Sequence, residues 1–182
     1  MTFEPCAIPD VILIRPQVFA DPRGYFLESW ELRRFVAAGI DARFVQDNHS
    51  HSARNVLRGL HYQLRHAQGK LVRVVSGSAL DVAVDLRRSS PSYGRWMSQL
   101  LSEENHLMLW VPPGFAHGYL ALSEHVDFLY RCTDFYTPAE ERTIVWNDPD
   151  LAIDWRLPPG VQPLLSAKDA AGARFCEAET YA

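Results

Sequence analysis

The chain has 182 residues, 47% of them hydrophobic and 22% charged, enough to bury one sizeable core. A net charge of -4, with Lys and Arg scattered rather than striped, argues against a phosphate-backbone footprint and so against nucleic acid as a partner. Cys6, Cys132 and Cys176 are too far apart for a zinc ribbon or a disulfide framework, and no apolar run is long enough to span a bilayer. A soluble, cytoplasmic protein is therefore expected.

The opening stretch MTFEPCAIPDVILIRPQ carries acid and proline where an export signal needs a basic start and an unbroken apolar run. From there, short segments rich in Val, Ile, Leu and aromatics alternate with Gly, Pro, Asn and Ser clusters. Strands are expected at 11–19, 24–30, 42–48, 56–63, 70–76, 79–86, 96–101, 107–111, 117–122, 126–136 and 143–146. Only ELRRFVAAG, 31–39, reads as a helix, with Leu32, Phe35 and Val36 at helical spacing and Gly39 as its stop. In ALDVAVDLR, Leu80, Val82, Val84 and Leu86 share one face and Asp81, Ala83 and Asp85 the other, so one face is expected in the core and the other against water or a polar site. From about 165 the chain turns to Ala and Gly, as a short helix or a loose tail. The expected fold is all-β: one double-sheet jelly roll over 1–182 with one or two short helices. An immunoglobulin-like sandwich lacks its Cys and Trp spacing here.

LRGLHYQLRHAQGKLVRV, 57–74, places His61 and Lys70 in stretches that otherwise read as buried strand, where neither type sits unpaired without cost. Metal-holding jelly rolls of the cupin type supply H-x-H and a glutamate on one strand and a further histidine after P-x-G-x-x-H. PPGFAH, 112–117, matches the second part, but Gln63 stands where the second histidine belongs, and His66 falls on the wrong face in a loop. That donor set is poor for a divalent transition metal, so no metal is expected. His61 is then either a core histidine satisfied by a carbonyl or a working base. His61, Lys70, His117 and Tyr130 lie on segments that an antiparallel barrel sets side by side, and each can move or stabilise a proton.

Arg23, Arg58 and Arg73 offer planar forks for a phosphate, and each reads equally as a solvated surface residue. Arg58 and His61 are three apart, so a regular strand points them to opposite faces. Gly59 offers a bulge that re-aims one of them, or Arg58 serves a neighbouring subunit. Tyr136, of the same parity as Tyr130, suits stacking on a flat base. Phe19, Phe26, Trp110 and Phe115 either wall a cavity or pack a core. Gln46, Asp47 and Asn48 are either a turn or a hydrogen-bonding edge.

FADPRGYFLESW, FVQDNHSHS, VLRGLHYQ, QGKLVRVVSGSALDVAVDLRRSSPSYGRW, LWVPPGFAHGYLALSE, FYTPAEERTIVWNDPDLAIDW and LSAKDA resemble, in order and spacing from about residue 10 to about residue 170, the dTDP-4-dehydrorhamnose 3,5-epimerase family. The resemblance implies a homodimeric cupin-type jelly roll without cofactor. Its substrate would be dTDP-4-dehydro-6-deoxy-D-glucose, inverted at C3 and C5 to dTDP-4-dehydro-L-rhamnose. By the same resemblance His61 is the general base, Tyr130 the acid on the other face of the sugar, Asp169 the carboxylate that orients His61, and Lys70 the cation beside the C4 oxygen. Arg23, Glu28, Gln46, Asp47, Asn48, Arg58, His117, Glu141 and Lys168 fall on nucleotide-sugar positions, and Tyr136 on the position that stacks on thymine. Similar proteins invert one carbon or move the ketone on nearly the same residues, and a non-catalytic sugar-nucleotide-binding cupin is a further alternative. Asn55 stands where the family more often has Gly, and Asn also tolerates a left-handed backbone.

Overall fold

The computed structural model describes residues 1–182. Its strands, in chain order, are β1 (Thr2–Pro5), β2 (Ile12–Arg15), β3 (Val18–Asp21), β4 (Gly24–Leu27), β5 (Gln46–Ala53), β6 (Leu57–Gln63), β7 (Lys70–Ser76), β8 (Ser78–Asp85), β9 (Trp96–Ser102), β10 (Met108–Val111), β11 (Phe115–Ala121), β12 (His125–Cys132) and β13 (Glu141–Thr143). Two short helices, α1 (Leu32–Ala37) and α2 (Ala167–Ala170), complete the regular structure apart from two 3-10 turns. One sheet has the order β1-β2-β10-β7-β12-β5, the other β13-β6-β11-β8-β9, and β3-β4 is a separate hairpin. These sheets stack as a cupin-type jelly roll, the all-β architecture expected from the sequence.

Strand parity decides what fills each layer. Val72, Val74, Ala79, Ala83, Leu101, Phe115, Tyr119, Val126 and Phe128 form a core between the sheets. Their alternate neighbours Leu80, Val82, Val84 and Leu86 point the other way, yet all are fully buried, because Leu151, Trp155 and Ala178 from the C-terminal stretch cover that outer face. Of the two surroundings expected for the other face of β8, water or a polar site, the structure gives the second: Asp81 and Asp85 are fully buried, and Asp81 is hydrogen-bonded to His117. Asp85 is satisfied by Arg87, Ser90 and Ser92, and Asp81 faces the layer between the sheets.

The chain after β13 is not a loose tail. Tyr62 Oη donates to Glu179 O (2.6 Å) and Tyr181 Oη to Gln63 O (2.5 Å), which pins the last residues against β6. Burial of each large apolar side chain under this cover contributes about 1.5–3 kcal/mol. In α1, Glu31 caps the N-terminus by accepting from Arg33 N and Arg34 N. Only Phe35 of its expected apolar face is buried, against Ile14, Leu71 and Trp110 on the outside of the six-stranded sheet, while Leu32 and Val36 stay exposed.

Other boundaries differ from the sequence reading where polar residues continue a ladder. The expected 42–48 strand is instead β5, whose QDNHSHSA carries few apolar residues but pairs with β12 along its whole length. The expected 11–19 strand breaks at Pro16 into β2 and the hairpin, since proline gives a ladder no N–H. No helix is long and apolar enough to cross a membrane.

Candidate active site

One end of the space between the sheets is polar. The inward residues of β5 are Gln46, Asn48 and Ser50, those of β12 are Phe128, Tyr130 and Cys132, and β7 contributes Lys70. The opposite sheet sends in His61 from β6 and His117 from β11. These side chains line a cavity of about 340 Å³ together with Arg58, Tyr136, Glu141 and Lys168.

Register explains the assembly. Cys132 pairs with Lys70, Tyr130 with Asn48, and His117 with His61. Between His117 and Tyr119 the β6 partner advances from His61 to Arg58, so three steps on β6 match two on β11. That bulge restores parity and lets Arg58 and His61 line the same cavity. Gly59 sits there at φ +126, and a Cβ on it would lie 2.6 Å from Gly118 Cα, so only glycine fits. Arg58 is then held by its own chain: Nε donates to Ser52 Oγ (3.1 Å), which also meets Tyr119 Oη (2.9 Å).

His61 Nε2 is hydrogen-bonded to Asp169 Oδ1. Asp169 is 3% exposed and its other oxygen accepts from Ser166 Oγ (2.8 Å). Burial lowers the His61 pKa against the opposing pull of Asp169, so the ring is neutral at neutral pH. Burial pushes Asp169 up, but His61, Ser166 and Lys168 outweigh it and hold the carboxyl below its ordinary value. Lys70 is 9% exposed with no anion within ion-pairing distance; burial lowers its pKa, while Cys132, Asp81 and Glu141 work in the other direction. Burial pushes Tyr130 up to about 12, so its phenol keeps its proton.

At the rim, Glu141 accepts from Lys168 Nζ (2.7 Å) and Tyr136 Oη (2.9 Å), and Gln46 Oε1 accepts from Tyr136 N (2.9 Å). Tyr136 is half-exposed and lines the cavity at its mouth.

The residues of the cupin metal position do not fit a metal. Gln63 spends its amide on backbone, donating to His66 O (2.7 Å) and Phe135 O (3.1 Å) and accepting from Thr137 N (2.6 Å). His61 and His117 each spend Nε2 on a carboxylate, and no three His, Cys, Asp or Glu side chains are grouped as a ligand set.

Three expected site residues lie elsewhere. Arg23 pairs with Asp21 (2.5 Å) in the turn of the β3-β4 hairpin, and Glu28 lies beside Arg34 (3.5 Å). Asp47 has the opposite parity to Gln46 and Asn48, so it points to the outside of the sheet and pairs with Arg131 (3.3 Å). None of the four aromatics considered as cavity walls lines the cavity. Phe19 and Phe26 are exposed on the hairpin, Trp110 packs near α1, and Phe115 is in the core. Conversely, sequence reasoning passed over Ser50, Ser52 and Tyr119. All of 46–52 is polar, and the signal that could have found the two serines is the alternation of uncharged residues at 46, 48, 50 and 52 with the titratable Asp47, His49 and His51.

A jelly roll with this set of proton-active side chains in its interior is a cupin-type pocket equipped for proton transfer. The chain belongs to the dTDP-4-dehydrorhamnose 3,5-epimerase family, whose model matches residues 5–177. It is 58% identical over 176 residues to the dTDP-4-dehydrorhamnose 3,5-epimerase of Pseudomonas aeruginosa, covering 96% of each chain. Among solved structures it is similar to the Legionella pneumophila 3,5-epimerase in complex with dTDP-4-keto-L-rhamnose, with TM-score 0.94, 46% identity and coverage of 98% and 94%. A 3'-monoepimerase from Streptomyces bikiniensis in complex with dTDP-quinovose is more distant in sequence, with TM-score 0.88, 32% identity and coverage of 94% and 87%.

Proposed function

We propose that this protein inverts C3 and C5 of dTDP-4-dehydro-6-deoxy-D-glucose, giving dTDP-4-dehydro-L-rhamnose. Both carbons flank the C4 ketone, so their protons become acidic when charge can spread to that oxygen as an enolate. The conversion is redox-neutral and needs no electron carrier. His61 takes each proton, Asp169 fixes its tautomer and supports the imidazolium that forms, and Lys70 donates to the C4 oxyanion. Tyr130 returns a proton to the other face of the enolate.

The observation that carries this reading is the sharing of one cavity by His61 and Tyr130 from opposite sheets, with Lys70 beside them. Gln46, Asn48, Arg58, His117, Glu141 and Lys168 hold the nucleotide sugar, and Tyr136 stacks on thymine. Double inversion is favoured over single inversion by the higher identity to the 3,5-epimerases than to the monoepimerase.

We assign the working form as a homodimer. The β3-β4 hairpin exposes Phe19, Tyr25 and Phe26 at 54, 57 and 68%, an apolar patch suited to a second copy, and it carries Arg23 with Glu28 just beyond. In such a dimer these two residues serve the partner's cavity, whereas Asp47 acts through Arg131 on the outer face. Three free cysteines fit a reducing cytoplasm.

The test is incubation with the 4-keto sugar nucleotide in heavy water. The expected result is deuterium at C3 and C5 with the L-rhamno product. Label at one carbon identifies a monoepimerase, and no label identifies a binding protein.

A further inference from the structure

A second imidazole and carboxylate pair stands beside the first. His117 Nε2 lies 2.8 Å from Asp81 Oδ2, and Asp81 is fully buried. Its other oxygen, Oδ1, is buried and has no hydrogen-bond partner. A buried carboxylate left half unsatisfied costs stability, so its presence needs a reason.

Joining strands is not that reason. β8 and β11 already pair along seven positions, from Phe115 opposite Asp85 to Ala121 opposite Ala79. His117 itself pairs with Ala83, so Asp81 reaches it diagonally from two residues along the same inward face. The inward neighbours of Asp81, Ala79 and Ala83, are small and apolar. His117 lines the cavity and pairs with His61 on the adjacent strand. Its Nδ1 makes no hydrogen bond within the chain.

We infer that Asp81 is a positioning residue that holds His117 in the Nε2-protonated tautomer, so that Nδ1 meets the pyranose as a lone-pair acceptor for a ring hydroxyl. Asp81 accepts the Nε2 proton in a hydrogen bond, and a carboxylate cannot offer one in return, which makes the choice of tautomer one-sided. An asparagine at the same place can present either an acceptor or a donor, and the preference disappears. The ring that faces the sugar then offers the hydroxyl two forms, only one of which can accept its proton. The consequence for catalysis rests on the epimerase reading; the tautomer itself does not.

The test uses the full-length protein and Asp81→Asn. In wild type, ¹⁵N NMR of the neutral His117 ring shows Nε2 protonated, and in Asp81→Asn that preference is lost. kcat/KM for the 4-keto sugar nucleotide falls about 10- to 100-fold, by analogy with the carboxylates that orient metal-ligating histidines, while affinity for dTDP alone stays within about twofold of wild type. A general packing defect weakens dTDP binding as well, and that result overturns the inference, as does a wild-type kcat/KM in Asp81→Asn. If the variant does not fold, the wild-type spectrum decides: an Nδ1-protonated His117 overturns the inference and an Nε2-protonated one sustains it. Wild-type protein that fails to turn over the sugar sinks the epimerase reading and leaves the spectroscopic result standing.

Discussion

Replacing Lys70 with methionine separates function from stability. Lys70 is 9% exposed, no carboxylate lies within ion-pairing distance, and burial lowers its pKa. An ammonium held this way destabilises the fold and is explained by what it does for a bound oxyanion. Removing such a donor costs about 2.7–4 kcal/mol of transition-state stabilisation, or roughly 10²- to 10³-fold in kcat. Methionine keeps the unbranched stem and its volume without the charge. Exchanging a buried ion pair for apolar residues of similar volume gains about 1–4 kcal/mol in known cases, and a buried charge with no ion-pair partner stands to gain in the same direction. For a chain of this size each kcal/mol raises Tm by about 2–4 °C. Lys70→Met should therefore melt higher than wild type by at least about 2 °C, still bind dTDP, and lose exchange of the C3 and C5 protons in heavy water. Wild-type exchange would remove Lys70 from the mechanism. A lower Tm would refute the claim that its charge is uncompensated in the free protein.

Tyr130→Phe should still permit proton abstraction, so solvent exchange at C3 and C5 persists while net inversion falls about 10²- to 10⁴-fold; chiral analysis of the product checks this, and unimpaired inversion excludes Tyr130 as the acid. Asp169→Asn keeps the shape of the pair but releases the His61 tautomer, and kcat should fall by about 10²-fold or more while dTDP affinity holds. The pH profile of kcat/KM follows from burial of both groups. Protonation of His61 as pH falls removes the base, and because its pKa is lowered from 6.5 the acid limb lies below that value. Deprotonation of Lys70 as pH rises removes the oxyanion donor, and its lowered pKa puts the alkaline limb below 10.5, while Tyr130 at about 12 stays protonated. An alkaline limb at or above 10.5 would contradict a buried Lys70.

How much of this was legible in the sequence depended on which side chains local pattern could speak for. The strand segments were readable because Val, Ile and Leu alternate with turn residues, as in ALDVAVDLR. In β8 the same alternation separated a core face, Leu80, Val82 and Val84, from a face that meets a polar site through Asp81 and His117, but nothing local in Leu80 or Val82 marks that the C-terminal stretch, and not the second sheet, covers them. His61, Lys70, His117 and Tyr130 converge as expected because register along antiparallel strands is set by parity. Asp81 was visible only as a polar residue on an alternating strand; its partner is 36 positions away. Arg23 and Glu28, expected from the resemblance to meet the nucleotide sugar, lie outside this chain's own cavity. Sequence likeness carries no information on which copy of the chain a residue serves.

The jelly roll also explains why two different proton-transfer groups belong together in an epimerase. A single residue that removes a proton and returns it to the same face regenerates the starting configuration. Inversion needs donors on both faces of a flat enolate, at a separation that admits a pyranose ring. Two stacked sheets lie about 10 Å apart backbone to backbone, a gap filled by side chains from each. His61 extends from the five-stranded sheet and Tyr130 from the six-stranded one, and in the proposed mechanism the ring that enters between them would have the imidazole on one face and the phenol on the other. Burial acts on the two groups in opposite directions, lowering the pKa of His61 against the pull of Asp169 and raising that of Tyr130. One stays a neutral base and the other keeps its proton. If stereochemical inversion comes from the layer geometry, moving the phenol along β12 without changing sheets should alter which carbon is reprotonated but not the face. Tyr130→Phe combined with Cys132→Tyr, of the same inward parity, should therefore give low but inverting turnover, and retention at either carbon would show that something other than the facing sheets sets the stereochemistry.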